Sequence, residues 1–563
     1  MAPLRQYMAR FGDRRTVKAD VKAGLVLGVE SVPDGLAAGL LAGVNPVHGL
    51  YGYLLGTVGG ALATGSAFMS VQATGAMSVI ISDVPQTQDA RQSAAALATL
   101  ALLTGLIMLA LGLAKLGSLV RFIPTAVLMG FVNAVAINII LGQLDNLTGY
   151  DGQGANRILR AADTVLHVFE VNPAALAVGL VTVGLILLLE RTRLGAMSMV
   201  VAVIAGSGLA ALLNFSAVEA TVALLGDVAQ VPNSLPALAL PTLELVPALI
   251  VPSLALALVG LVQGSAISSS VPNPDGRYPD ASADFRGQGV ANLATGLFQG
   301  MPVGGSMSAT SLVRAAGAKT ALANLVAGAI MAMCIFALAP AIGFMAMPAL
   351  AGLLILVGFR TLKIHDFLMV WRTGPIQATV ATVTFTLTLL IPLQYAVLSG
   401  VGLAVILHIA RMSNRIMVKR WEFTAGTALP RETEPPRKLA NSQLVILVPY
   451  GSLFFAASPI FEQQLPQVPA ECKGTAIIIR LRGKDELGAT FIKALERYSQ
   501  ALAAAGGTLM LAGVGPKVHG QLVATGSLDI LGNDRVFPAQ EQVGLALQLA
   551  VEAAERWRSG LDS

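Results

Sequence analysis

Gly304-Gly-Ser-Met-Ser-Ala-Thr-Ser-Leu312 reads as the start of a helix that ends too soon to cross a bilayer. Its apolar part, Met307 to Ala316, is about half the ~20 residues a spanning helix needs. Two glycines and a serine precede it, so the backbone is free to break there. An earlier stretch, Val71-Gln-Ala-Thr-Gly-Ala-Met-Ser78, has the same character and runs on only to Ser82. Both are rich in Gly, Ser and Thr. They occupy comparable places in the two halves of a long apolar region, and the fold follows from that pairing.

The surrounding composition belongs to a membrane protein. Of 563 residues, 55% are hydrophobic and 12% charged, against about 25% charged in a soluble chain. Aromatics make up 5%, so the apolar mass is aliphatic, and 58 glycines allow close helix approach. The net charge of +5 carries no Lys/Arg-rich run with interleaved aromatics, which argues against a nucleic-acid partner. Cys334 and Cys472 are isolated thiols, and His48, His167, His365, His408 and His519 show no ligand spacing. Neither a metal nor a cofactor is expected. No nucleophile–base pair appears, so an enzyme is the least supported class.

Outward from the two short stretches lie long apolar runs: 24–43, 47–64, 94–114, 122–142, 174–190, 196–213, 246–264, 321–343, 345–359, 375–391 and 394–410. With Val71–Ser82, Met307–Ala316 and a Gly-rich segment, Gly287–Gly300, they bring the expected total to roughly 14 segments. The basic N-terminus (Arg5, Arg10, Arg14, Arg15, Lys18, Lys22) is expected to stay in the cytoplasm of a bacterial-type inner membrane. On that topology Lys115 and Arg121, Arg191 and Arg193, Arg277 and Arg286, the group Arg360, Lys363 and Arg372, and Arg411 to Arg420 all fall inside. Loop 214–245, with Glu219, Asp227 and Glu244 and no Lys or Arg, falls outside. Arg157 and Arg160 are exceptions on an outer loop. The expected division is a cytoplasmic segment 1–23, a transmembrane transport domain 24–411, a linker 412–439 containing Pro430, Pro435 and Pro436, and a cytoplasmic domain 440–563. In the last, strands at Leu444–Val448, Thr475–Leu481 and Thr508–Val514 alternate with helices at Leu487–Ala505 and Gln540–Arg556, the pattern of a small α/β domain.

Paired short, interrupted segments point to a transport site between inverted repeats. A half-helix that starts inside the membrane leaves about four N–H groups without intrahelical partners, and its dipole presents positive charge there. Two such ends facing each other suit an anion. The candidate anion-binding residues are Gln72, Ala73 and Thr74 on one segment and Ser306, Met307, Ser308, Ala309 and Thr310 on the other. The alternative is that these small residues only pack helices together. Glu30 lies inside the first apolar run and is a candidate for coupling to a proton or another cation. Asp34, just after Pro33, reads as a capped or hydrated group at a helix break. Gln263 either lines the site or bonds a neighbouring helix. Arg314 reads as a snorkelling anchor at the cytoplasmic face.

Two longer stretches give a resemblance. Arg277-Tyr-Pro-Asp-Ala-Ser-Ala-Asp-Phe-Arg-Gly-Gln-Gly-Val-Ala-Asn-Leu-Ala-Thr-Gly-Leu-Phe-Gln-Gly-Met-Pro-Val-Gly-Gly-Ser306 and Pro33-Asp-Gly-Leu-Ala-Ala-Gly-Leu-Leu-Ala-Gly-Val-Asn-Pro-Val-His-Gly-Leu-Tyr51 resemble the sulfate permease family of anion transporters, over the whole chain and including a degenerate C-terminal STAS domain. The resemblance implies a mainly α membrane protein with a seven-plus-seven inverted repeat, divided into core and gate domains, and a homodimer. It implies a small inorganic oxyanion, sulfate first and bicarbonate next, held between the third and tenth helices and moved with H+ or Na+ or by exchange. Three departures stand out. Gln263 occupies the eighth-helix position where some relatives have an acid, which speaks against sodium coupling and against a nucleobase transporter of the same architecture. Thr310 stands where some relatives have Arg. Leu487-Gly-Ala-Thr-Phe491 keeps Thr490 of the Asp-x-Ser/Thr-Gly loop but not its Asp or Gly, so Thr490 is either a phosphorylation site or a helix-start residue. A membrane-anchored signalling protein is the reading from a different class, and the interrupted spans argue against it.

Overall fold

The computed structural model describes the chain apart from residues 1–8, 12–14, 90, 118–123, 155, 193, 217–221, 230–233, 414–415, 424–428, 452, 454–456 and 561–563. Arg5, Arg14, Arg121, Arg193, Glu219 and Arg415, which enter the charge pattern, lie outside the described residues. Two compact units divide the chain, Met1–Ala404 and Val405–Ser563.

The membrane unit is helical because its apolar runs must satisfy their backbone internally. Its first half contains α1 (Val17–Leu41), α2 (Pro46–Ala63), β1 (Ser70–Gln72), α3 (Gly75–Ser82), α4 (Ser93–Leu113), α5 (Thr125–Leu141), α6 (Pro173–Leu189) and α7 (Ser198–Ser216). The second half repeats the order with α8 (Val246–Ser270), α9 (Ala281–Leu297), β2 (Gly304–Ser306), α10 (Met307–Ala315), α11 (Leu322–Gly343), α12 (Met347–Thr361), α13 (Pro375–Leu390) and α14 (Leu393–Ser413). Among the described residues, seven helical stretches are long and apolar enough to cross a membrane, and α6 and α13 are shorter apolar helices. Helix starts follow local chemistry. Asn45 accepts the Val47 N–H at 3.0 Å with Pro46 in the first turn, and Asn172 and Pro173 do the same for α6. Asp280 caps α9, which therefore begins before the Gly-rich segment 287–300.

Helix α1 also begins earlier than the apolar run, inside the segment expected as 1–23. Its Asp20 is fully buried and accepts the N–H groups of Lys319 (2.6 Å) and Thr320 (2.9 Å) ahead of α11. Packing groups the helices. Helix α1 lies on α2 and α11, α9 on α2 and α4, and α8 on α4; separately, α5 packs on α12 and α13, and α6 on α7 and α12.

The C-terminal unit carries a sheet in the order β4-β3-β5-β6-β7-β8: β3 (Met417–Phe423), β4 (Pro430–Thr433), β5 (Leu444–Tyr450), β6 (Ala476–Arg480), β7 (Thr508–Val514) and β8 (Val536–Pro538). β5 to β8 run parallel, and β3 and β4 add an antiparallel edge. Helices α15 (Ser458–Gln464), α16 (Ala489–Ala504), α17 (Pro516–Ala524) and α18 (Leu545–Ser559) cover it. Here the expectation of a linker over 412–439 is corrected: β3 and β4 fall inside it. Met417-Val-Lys-Arg-Trp-Glu-Phe423 carries three charged side chains, so its composition reads as polar linker although its backbone pairs with both β4 and β5.

Candidate functional site

Each interrupted span is an extended stretch that turns abruptly into a short helix. Helix α3 has eight residues and α10 nine, about 12–14 Å of helix against a hydrocarbon core of ~30 Å. The extended parts pair antiparallel, with Ser70 opposite Ser306, Val71 opposite Gly305 and Gln72 opposite Gly304. This ladder satisfies backbone groups that the membrane interior would otherwise leave bare. It needs close approach on both sides. A Cβ on Gly60 would lie 2.5 Å from Val71 Cγ2, and one on Gly305 3.0 Å from Gly264 Cα.

Helix α9 fixes the ladder through Asp284, Gln288 and Asn292, spaced four residues apart on one face. Asp284 accepts the Ser66 N–H at 2.8 Å and the Ser268 hydroxyl at 2.5 Å. Gln288 Oε1 accepts the Gly305 N–H at 3.0 Å. Asn292 accepts the Val303 N–H at 2.9 Å and donates to its carbonyl at 2.7 Å. Sequence reasoning did not assign these three side chains, although their i, i+4, i+8 spacing inside the Asp280–Ser306 stretch is the signal that would have found them.

The helix starts converge on a cavity of about 370 Å³. Ala73, Thr74, Gly75 and Ala76 line it from one side and Gly305, Ser306, Met307 and Ser308 from the other, with Gln263 between. Helix α5 supplies an apolar wall, and Asp34, Tyr53, Thr361 and Lys363 add to the polar lining. Thr74 is the N-cap of α3. The Met77 N–H donates to its hydroxyl oxygen at 3.4 Å, and the hydroxyl donates to Gln263 Oε1 at 3.0 Å. Gln263 thus keeps its amide nitrogen as a donor. Ser306 caps α10 in the same way, accepting the Ala309 N–H at 3.4 Å and lying 3.1 Å from the Ser308 hydroxyl. Each cap occupies the third amide of its helix. The first two, on Gly75 and Ala76 and on Met307 and Ser308, have no carbonyl of their own helix to reach.

Three of the anion-binding candidates do not line the cavity. Gln72 is buried behind the ladder and donates to Ser31 Oγ (2.9 Å) and Thr57 Oγ1 (3.3 Å). Thr310 is buried too; its hydroxyl donates to the Ser306 carbonyl (2.6 Å) and accepts the Ser70 N–H (3.1 Å). These side chains therefore build the frame of the ladder. Ala309 gives its N–H to the cap. Glu30 is not on the cavity wall; it lies one turn behind Asp34 on α1, and its Oε2 is buried with no hydrogen-bond partner among the described residues. Arg314 sits with its guanidinium 5.8 Å from the Phe68 ring centroid and does not line the cavity. In the C-terminal unit Thr490 is exposed at the second position of α16, whose N-cap is Gly488, so the Thr490 side chain is not the cap.

Solved structures share this fold. SLC26A9 superposes with a TM-score of 0.84 at 19% identity, covering 98% of this chain and 92% of that one. Murine Solute Carrier 26 family member A9 in the inward-facing state gives 0.83 at 18% identity, covering 98% and 94%. The transmembrane domain of the cyanobacterial bicarbonate transporter BicA gives 0.59 at 22% identity over 70% of this chain and 98% of that one. The class so defined is a multi-pass, mainly helical membrane protein with a C-terminal α/β domain. Residues 17–384 match the sulfate permease family model and residues 436–543 the STAS domain model. The chain belongs to the sulfate permease family. A probable sulfate transporter of Mycobacterium tuberculosis is 26% identical over 555 residues, 96% of each chain. A putative sulfate transporter of Bacillus subtilis is 24% identical over 537 residues, 93% of this chain and 96% of that one. The bicarbonate transporter BicA of Picosynechococcus is 26% identical over 410 residues, 71% of each.

Proposed function

We propose that this protein is a secondary transporter of a small inorganic oxyanion, sulfate first and bicarbonate next. The observation that carries the reading is that the N-termini of α3 and α10 line one cavity together with Gln263, whose Oε1 is taken by the Thr74 hydroxyl. The amides of Gly75, Ala76, Met307 and Ser308 and the hydroxyls of Ser306 and Ser308 are the donors. They hold charge without a guanidinium at the site and accept any tetrahedral or planar oxyanion of suitable size. Relatives described as sulfate transporters and as a bicarbonate transporter support the substrate class.

The packing groups suggest how the anion crosses. Helices α1 to α4 and α8 to α11 form a core that carries the site, and α5 to α7 with α12 to α14 form a gate. Elevator-like movement of core against gate exposes the cavity to each side in turn. The protein functions as a homodimer in a bacterial inner membrane with both termini cytoplasmic, 24–411 carrying transport and the STAS domain regulating it. Glu30 couples transport to protons, and Gln263, being neutral, serves the anion. Uptake of labelled sulfate, bicarbonate and dicarboxylates into proteoliposomes, with and without sodium and pH gradients, tests the reading. Sulfate uptake driven by an inward proton gradient is expected. No flux of any anion sinks the transporter assignment, and an unchanged proton dependence in Glu30→Gln removes that residue from coupling.

A further inference from the structure

A carboxylate in the wall of an anion cavity opposes the ligand unless it is neutralised. Asp34 is such a group: it lines the same chamber as Thr74, Gly75, Ser306 and Ser308. It follows Glu30 by four residues on α1, so both carboxylates occupy one face of the helix. Among the described residues neither has an ion-pair partner. Arg360, within electrostatic reach of Glu30, is already bound to Glu190. Tyr53 from α2 is within electrostatic reach of both carboxylates, and Gln263 from α8 and Lys363, two residues past the end of α12, lie elsewhere on the cavity wall. Tyr53 and Gln263 are neutral, so among the described residues Lys363 is the one cation in the lining.

The charges balance in two states. Two helix N-termini together present about one unit of positive charge, and Lys363 adds another. The empty cavity is then neutral with Glu30 and Asp34 both ionised. With a divalent oxyanion present, neutrality returns only when both carboxylates are protonated. A state with one proton, or with the anion and no proton, leaves net charge in a medium of low dielectric constant, which is strongly disfavoured.

We propose that Asp34 is the second proton-carrying group of the site and that the Glu30–Asp34 pair moves two protons with each divalent oxyanion, an electroneutral cycle. This rests on the transporter reading and deepens it. One proton is taken up on each of the two carboxylates from the side where the anion enters. Both are released on the opposite side as the anion leaves, and the empty carrier returns with both groups ionised.

The test is equilibrium binding of labelled sulfate to the purified full-length protein across pH, paired with uptake under imposed membrane potentials. On the alkaline side, two linked protons make the dissociation constant rise about a hundredfold per pH unit, and one makes it rise about tenfold. The wild type is expected to show the first slope and uptake indifferent to a potassium diffusion potential. Asp34→Asn is expected to show the second slope and uptake accelerated by an inside-positive potential. Asp34→Glu is expected to restore the wild-type behaviour. A hundredfold slope in Asp34→Asn, or a slope of tenfold or less in the wild type, overturns the proposal. So does loss of binding in Asp34→Asn that Asp34→Glu does not restore. Failure of the transporter reading looks different: wild-type protein that neither binds nor moves any oxyanion.

Discussion

The two interrupted spans share a plan and differ in how firmly they are held. Both turn from an extended residue into a helix at a hydroxyl N-cap, and both leave two amides facing one cavity. Helix α3 is then buried from Ala76 to Ile81 and is anchored at its end. Asp83 is paired with Arg157 at 2.8 Å and accepts the Leu393 N–H at 2.8 Å. Its cap also bonds across to Gln263 on α8. Helix α10 exposes Met307, Ser308 and Arg314, and its cap bonds only within its own first turn. One end of the site is a fixed wall tied to three other elements. The other is held through the buried Thr310, whose hydroxyl accepts the Ser70 N–H, while its cap hydroxyl reaches no neighbouring element among the described residues.

That asymmetry is open to attack by substitution. The largest effect is expected where both spans fail together. Gly264→Val places a Cβ 2.2 Å from Gln288 Nε2, displacing the side chain that holds Gly305; overpacking of this kind costs about 1–3 kcal/mol. Thermal unfolding reads the lower stability, and sulfate uptake should fall below detection. Next come the caps. Thr74→Val removes a cap and the bond that orients Gln263, and should weaken sulfate binding about tenfold; Ser306→Ala removes a cap alone and should weaken it about threefold. Equal effects would erase the proposed asymmetry. Arg157→Ala should cost about 1 kcal/mol of stability, the pair being only partly buried, while leaving the sulfate dissociation constant unchanged. The smallest effect is expected far from the spans. Glu432 is held below its ordinary 4.5 by hydrogen bonds from Tyr450 and Trp421. Its contribution to stability is present above that value and is lost as pH falls through its lowered pKa. Glu432→Gln should therefore flatten the acid limb of a Trp-fluorescence unfolding profile without altering sulfate uptake at neutral pH.

The sequence shows the two half-helices because their signal is local: Gly and Ser at a break, and an apolar run too short to span. Which side chains face the cavity is a different matter. In a regular strand Gln72 and Thr74, two residues apart, would share a face; the strand ends at Gln72 and Thr74 already caps the helix, and this break leaves Thr74 on the cavity while Gln72 meets Ser31 and Thr57. Thr310 sits two positions past the free amides, where a threonine turns back on the carbonyl four residues before it. Lys363 reads as one more inner-face charge, because its place on the cavity wall depends on how the end of α12 meets α5. There Asn133 Oδ1 accepts the Lys363 N–H at 2.8 Å. Asp34 reads as a group at a proline break for the same reason: only the packing of α1 against α2 and α3 turns it toward the chamber. In the C-terminal unit the buried parallel strands declare themselves as aliphatic runs, whereas β3, second from the edge of the sheet, carries Lys419, Arg420 and Glu422 and does not.

The most direct test of the central claim is to locate a bound oxyanion. Selenate diffused into crystals of the full-length protein should give an anomalous peak between the starts of α3 and α10, within about 2.7–3.2 Å of the amide nitrogens of Gly75 or Ala76 and of Met307 or Ser308. A peak seated at Lys363 away from those amides, in protein that transports selenate, would contradict it.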